Sequence, residues 1–475
     1  VNEHEATNTT HTTLPVIGTA RGIAIPPQRV HFPPRVERAV PVDKNRCLHA
    51  KEKPMMNLRT AGLGQLLAIS FGLAPLLAWG ADGAFATNRY RNLFVETGHS
   101  PAETKAKIKR AFQQLFHGNP QNEAVYFAAG KNASGPLAQI RDIGNNDVRS
   151  EGMSYGMMIA VQLDKRAEFN ALWNWAKTHM HHDDPASPAY GYFSWSLKPD
   201  GTPNDEMPAP DGEEYFATAL YFAANRWGSG EGIYNYRAEA DRLLIDMRHR
   251  QEITGPTVKG EMTAGNLFHP QHAMVRFTPD VVNWEHTDPS YHLPAFYELW
   301  ALWGPDADRD FWRQAATASR EFFQRAAHPQ TALTPEYANF DGTPWLAPWN
   351  PRSANHHADA WRTAMNWSVD WAWWAKDPRE QQLSDSLQSF FESQGIDTYV
   401  NHYTLDGKPL GNERSTGHVA MNAVASLAAT QPRSKEFVES LWNAPVPTGQ
   451  WRYYDGMLYL LAMLHSSGEF RIWAP

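Results

Sequence analysis

Four acids stand where the sequence could support acid–base chemistry: Glu151, Asp211, Asp288 and Asp359. Two convergent carboxyls, one protonated and one charged, are what splitting a glycosidic bond requires. The first protonates the leaving oxygen, and the second activates water or attacks the sugar. Glu151 lies in Asn146-Asp147-Val148-Arg149-Ser150-Glu151-Gly152-Met153-Ser154-Tyr155-Gly156-Met157, where two glycines allow close backbone approach just before a helix. It serves equally as a first-turn acid that satisfies helix N–H groups. Asp211, followed three residues later by Glu214, forms a capping box, and Asp288 before Pro289 has N-cap chemistry. For both, the structural role is the simpler reading.

Asp359 is harder to assign to a cap. In His356-His357-Ala358-Asp359-Ala360-Trp361-Arg362-Thr363-Ala364-Met365-Asn366-Trp367-Ser368-Val369-Asp370, helical spacing puts Asp359, Arg362, Asn366 and Asp370 on one face of an apolar, aromatic helix. An Arg one turn beyond an Asp favours the charged carboxylate and could hold a water beside it, as a general base requires. A buried ion-pair network is the competing explanation.

The elements that must position these groups are helices. Ser100-Pro101-Ala102-Glu103 is a capping box with Pro at the first helical position, and Ile108, Phe112, Leu115 and Phe116 recur at helical spacing until Gly118. Similar runs span 153–161, 169–180, 213–227, 236–248, 291–303, 309–327, 360–375, 379–394, 418–429, 435–442 and 457–464, about a dozen in all. Several, such as 215–224, are apolar nearly all round, which suits inner helices buried between a central funnel and an outer layer. The expected fold is an all-α toroid in one domain over 82–475, with no linker to a second module.

Upstream, Met56-Asn57-Leu58-Arg59-Thr60 followed by an apolar run from Ala61 to Trp79 reads as a secretory signal peptide over 56–81. A membrane anchor is disfavoured, because the run is short and contains Pro75. Residues 1–55 read as disordered or as lying upstream of the true start. The mature protein is expected to be secreted or periplasmic and monomeric, without stable membrane association.

The chain has 475 residues and a formal charge of -8, with no block of Lys and Arg, which argues against a nucleic-acid partner. Its 19 Trp, 17 Tyr and 22 Phe include rings flanked by carboxylates, the combination a sugar needs for its apolar face and its hydroxyls. The single cysteine, Cys47, excludes an intrachain disulfide or a Cys-based metal site. His181-His182-Asp183-Asp184 and His356-His357 lack metal-ligand spacing, so neither metal nor other cofactor is expected.

Taken together, the segments resemble glycoside hydrolase family 8, and within it the xylan-active members, from about Tyr90 to Pro475. The most specific matches are Arg149 to Met158, Gly191-Tyr192-Phe193-Ser194-Trp195-Ser196, Pro208 to Phe216, Thr287 to Pro294, Phe340 to Pro344 and Arg452-Tyr453-Tyr454-Asp455. The resemblance implies an (α/α)6 barrel and an inverting hydrolase of β-1,4-xylan or xylo-oligosaccharides. It implies Glu151 as general acid, Asp211 as the acid that grips the distorted central sugar, and Asp359 rather than Asp288 as general base. Asp288, Tyr291 and His292 become groove residues and Trp195 a stacking platform. Arg362 matches the arginine that orients the attacking water, and Tyr454 lines the same subsite. Acid and base should then stand roughly 6.5–9.5 Å apart.

Relatives that release xylose from reducing ends carry a Leu-His-Pro insertion that walls off the groove before a late helix. The corresponding Gly411-Asn412-Glu413-Arg414-Ser415-Thr416-Gly417-His418 has no such tripeptide, which favours endo action, with His418 as a residue that could still block the path. Met153-Ser154 after the acid resembles the xylan-active members more than the cellulases. A silent glycan-binding protein would need none of the three acids.

Overall fold

The computed structural model describes residues 82–475. The expected signal peptide at 56–81 and the segment before it lie outside the described residues. Among those described, twelve helices of nine residues or more follow one another. They are α1 (Pro101–His117), α2 (Ser150–Gln162), α3 (Arg166–Trp175), α4 (Pro210–Trp227), α5 (Tyr236–His249) and α6 (Pro294–Trp303), then α7 (Arg309–Ala326), α8 (Trp361–Trp374), α9 (Arg379–Ser393), α10 (Thr416–Val424), α11 (Ser434–Asn443) and α12 (Arg452–Ser467).

The alternation in burial is what sorts them. In α4 every residue from Pro210 to Ala223 is buried, so no face is left for solvent. In α7 the buried positions, from Trp312 through Ala316 and Ser319 to Phe323, form one stripe. The even-numbered helices pack in sequence, α2 on α4, α4 on α6, α6 on α8, α8 on α10 and α10 on α12, and α12 returns to α2. Each also packs against an odd-numbered neighbour in the chain, α2 with α3, α4 with α5 and so on. Burying side chains such as Phe216 and Leu220 contributes roughly 1.5–3 kcal/mol each before conformational entropy is charged against it. At α1 the Ser100 box is closed in both directions: Glu103 N–H donates to Ser100 Oγ at 3.2 Å, and Ser100 N–H to Glu103 Oε2 at 2.9 Å.

The chain is not purely helical. Among the described residues nine short strands form four small antiparallel sheets in the connections, the longest being the hairpin Tyr126–Asn132 with Gly135–Ile140. Several are only two residues long, below the length at which alternation can register in a sequence. Val148–Arg149, Ser196–Leu197 and Pro203–Asp205 make one such sheet directly before α2. The helix expected over 291–303 starts later, at Pro294: Pro289–Tyr291 is a separate 3-10 turn, and Leu293 before the proline is non-helical. The run at 169–180 ends as an α-helix at Trp175 and continues as a π turn over Ala176–Met180.

Candidate active site

The first turns of α2, α4, α8 and α12 converge on one side chain, Arg362, which is 2% exposed. Its Nη1 donates to Glu151 Oε2 at 2.9 Å, to Asp211 Oδ2 at 2.5 Å and to the Tyr155 hydroxyl at 2.7 Å. Its Nη2 lies 3.1 Å from Asp359 Oδ1, one helical turn away in its own segment. A single cation therefore gathers three carboxyls that are 60 to 208 residues apart along the chain. Through this shared guanidinium Glu151 and Asp359 are bound to opposite amino groups of one cation.

Glu151 sits inside the first turn of α2, not before it. Ser150 N–H donates to Trp195 O at 3.0 Å, tying that turn to the segment carrying Trp195. The Tyr453 hydroxyl donates to the second Glu151 oxygen, Oε1, at 2.7 Å. Gly152 makes this approach feasible, because a Cβ there would lie 2.5 Å from the Tyr453 ring. The Glu151 side chain keeps 13% exposure. Burial pushes its carboxyl up to about 7; Arg362 opposes that shift, the neighbouring Asp211 and Asp359 add to it, and the Tyr453 hydrogen bond opposes it. A carboxyl raised this far keeps part of its proton near neutrality.

Asp211 follows Pro210 in the first turn of α4 and is buried, its Oδ1 accepting Gly212 N–H at 3.0 Å. It does not close the capping box suggested by Glu214, whose Oε1 instead accepts the Tyr297 hydroxyl. Burial raises its pKa against the attraction of Arg362. Asp359 occupies the 3-10 turn Ala358–Ala360 that leads into α8, with 32% of its side chain exposed. The polar stripe read along this helix divides in two. Asp359 and Arg362 belong to the site, Asn366 donates to Ser290 O at 2.7 Å, and Asp370 takes two hydrogen bonds from Arg320 in a buried ion network with Glu298.

Asp359 opens onto a cleft of about 540 Å³ that is also lined by Trp195, Phe277, Tyr291, Tyr337 and Trp349. The Phe277 and Tyr291 rings are parallel within 4°, with centroids 6.0 Å apart. Trp195 is half-buried with the Arg149 guanidinium 5.7 Å from its ring, while Trp349 is 52% exposed. Such walls offer ring faces to pyranoses and carboxylates to hydroxyls. A larger depression, about 690 Å³, lies elsewhere, between α11 and the loop before α10, and is lined by neither an aromatic ring nor any of the three acids.

The Tyr454 ring lies 6.0 Å from the Arg362 guanidinium. His292 lies away from the cleft. It is fully buried on Phe322, with one ring nitrogen 2.9 Å from Ser319 Oγ and the other 3.0 Å from Thr287 Oγ1, and burial lowers its pKa to about 3. After the 3-10 turn, Tyr291 faces the cleft and the next residue faces the core. Asp288 likewise has no exposed surface: its Oδ1 caps Ser290 N–H at 2.7 Å, and burial pushes its pKa well up. Both are struts behind the groove rather than part of its surface.

Two residues of the site carried no separate signal when read alone. Tyr155 lies four residues after Glu151, a spacing that shares a helix face and could have marked it. Tyr453 stands beside Tyr454, and adjacent helical residues diverge by about 100°, so one reaches Glu151 and the other the Ala358 carbonyl. Among the described residues no group of three or more His, Cys, Asp or Glu is arranged to hold a metal ion. His182 turns to Ser194 and His357 to Glu336, each away from its neighbouring histidine.

Comparison with known proteins places this geometry. The model of the family described as glycosyl hydrolases family 8 matches residues 135–468. A xylanase of that family from Teredinibacter turnerae, solved as a catalytic mutant with xylohexaose, is 60% identical, with 83% of this chain and all of that chain covered and a TM-score of 0.82. A reducing-end xylose-releasing exo-oligoxylanase from Paenibacillus barcinonensis is 42% identical over 394 residues, 82% of this chain and 98% of its own length. One from Halalkalibacterium halodurans is 43% identical over 402 residues, covering 83% and 97%.

Proposed function

Since the chain belongs to glycosyl hydrolases family 8, we propose that it cleaves β-1,4-xylosidic bonds by single displacement, acting within xylan chains. The observation that carries this is the convergence of Glu151, Asp211 and Asp359 on Arg362. Glu151, whose carboxyl burial pushes up to about 7, gives its proton to the leaving oxygen. Asp359 takes a proton from a water placed on the opposite face of the sugar, and that water bonds to the anomeric carbon as the glycosidic bond breaks. Arg362 holds both carboxyls in place, Asp211 engages the sugar at the centre, and Trp195 and Tyr291 offer it ring faces. Inversion of the anomeric centre follows from the one-step attack.

Endo action is supported by the loop before α10, and the 60% identical relative is described as a xylanase rather than as an exo-oligoxylanase. Residues 408–414 are exposed there, and His418 is buried with its ring stacked 5.0 Å from Trp361, so it cannot reach into the groove. The exo reading keeps support from the near full-length match to two exo-oligoxylanases. Product analysis separates them: a ladder of oligomers from long xylan means endo action, and xylose alone from short oligomers means exo. The twelve paired helices support the (α/α)6 barrel as the architecture. Secretion completes the proposal, resting on the leader-like sequence at 56–81.

A further inference from the structure

The base does not sit on a relaxed segment. Ala358, immediately before Asp359, has φ of +31°, in the left-handed half of backbone space that residues bearing a Cβ rarely adopt. Ala358 is held from both sides. The Tyr454 hydroxyl, from the first turn of α12, donates to the Ala358 carbonyl at 3.1 Å. On the other side the His357 Nδ1–H donates to Glu336 Oε1 at 3.0 Å, and Glu336 is itself buried and fixed by Asn350 Nδ2 at 2.8 Å on its second oxygen. A strained conformation persists only where its surroundings over-determine it.

Taking Asp359 as the general base, we propose that Glu336 and Tyr454 are positioning residues for it, acting through the backbone of residues 357 and 358 to hold the left-handed turn that presents the carboxylate. Glu336 does this through a histidine ring and has no part in the proton transfers. Tyr454 does it through a main-chain carbonyl, whatever contact its ring makes with sugar. Loss of either tether lets Ala358 relax toward negative φ and swings Asp359 away from the attacking water, so the effect falls on kcat. Because the tethers oppose strain at one Cβ, a glycine at 358, which adopts positive φ without penalty, makes them less necessary.

The test is a double-mutant cycle on xylan hydrolysis. Glu336→Ala and Tyr454→Phe should each lower kcat about tenfold with KM changed less than threefold and the melting curve still cooperative. In an Ala358→Gly background the same two changes should cost less than about threefold. Equal losses in both backgrounds, or losses confined to KM, overturn the positioning role. Should Glu336→Ala fail to fold, Tyr454→Phe carries the cycle alone. Asp359→Ala is measured alongside: if it retains activity, the assignment of the base fails, whereas an inactive Asp359→Ala with no coupling to residue 358 sinks only the positioning role.

Discussion

Tyr453 and Glu151, 302 residues apart in sequence, meet across the first and last of the even-numbered helices, with the tyrosine hydroxyl 2.7 Å from a carboxylate oxygen. The contact favours the charged form of Glu151, while burial and the nearby acids favour the neutral one. The balance leaves the carboxyl at about 7, where it can still donate a proton. This relationship governs the first two predictions.

The alkaline limb of kcat/KM should fall near pH 7, because activity requires the protonated Glu151. Tyr453→Phe removes a hydrogen bond to the charged form and should move that limb to higher pH by about half a unit or more. Asp211→Asn removes a negative neighbour and should move the limb to lower pH, in addition to a large loss of kcat. Shifts of the same sign in the two variants contradict the assigned electrostatics.

Stability should depend on the same carboxyl. Its pKa is higher in the folded state than in the unfolded chain, so the stability it contributes is fully present below the ordinary glutamate value and is lost as pH rises through about 7. Glu151→Gln should therefore stabilise the fold at pH 8, by on the order of 3 kcal/mol and with a higher melting temperature, and have little effect at pH 4.5. Calorimetry at the two pH values checks this, and a larger gain at pH 4.5 reverses the sign.

Trp195 and His292 should respond to substitution in opposite ways. Trp195→Ala removes a ring face from the cleft and should raise KM roughly tenfold, about 1.4 kcal/mol, with a smaller change in kcat. His292→Ala should leave KM unchanged while destabilising the fold by about 2–4 kcal/mol, because it empties a buried site and strands Ser319 and Thr287. A KM effect at His292 would return it to the groove.

The helices were legible because their signals are local and repeated. The Ser100 capping box and the all-round apolar run at 215–224 each have one reading, and both stand as expected. Read from its own segment Asp211 is a helix cap, and only the family resemblance set it beside Glu151 and Asp359, with which it meets at Arg362. Orientation was not legible, since nothing in Tyr291-His292 or Tyr453-Tyr454 says which member of the pair turns inward; that is decided by the 3-10 turn before α6 and by the rotation of α12. Gly152 shows the same limit: its role is to admit a ring from the far end of the chain. Several of the strands escaped because they span only two residues, too few for alternation to register.

Glu151→Ala and Asp359→Ala should each remove nearly all hydrolysis, by 10³-fold or more in rough terms, with circular dichroism unchanged. Equal activity in either variant moves the chemistry to another pair of groups.

Proton NMR of freshly released product tests the single-displacement account most directly, since it reads the configuration at the attacked carbon before mutarotation. Hydrolysis of a β-linked xylo-oligosaccharide should yield the α-anomer first, with the β-anomer growing in afterwards. Initial appearance of the β-anomer would mean a covalent intermediate, and Asp359 could not then be the base that activates water.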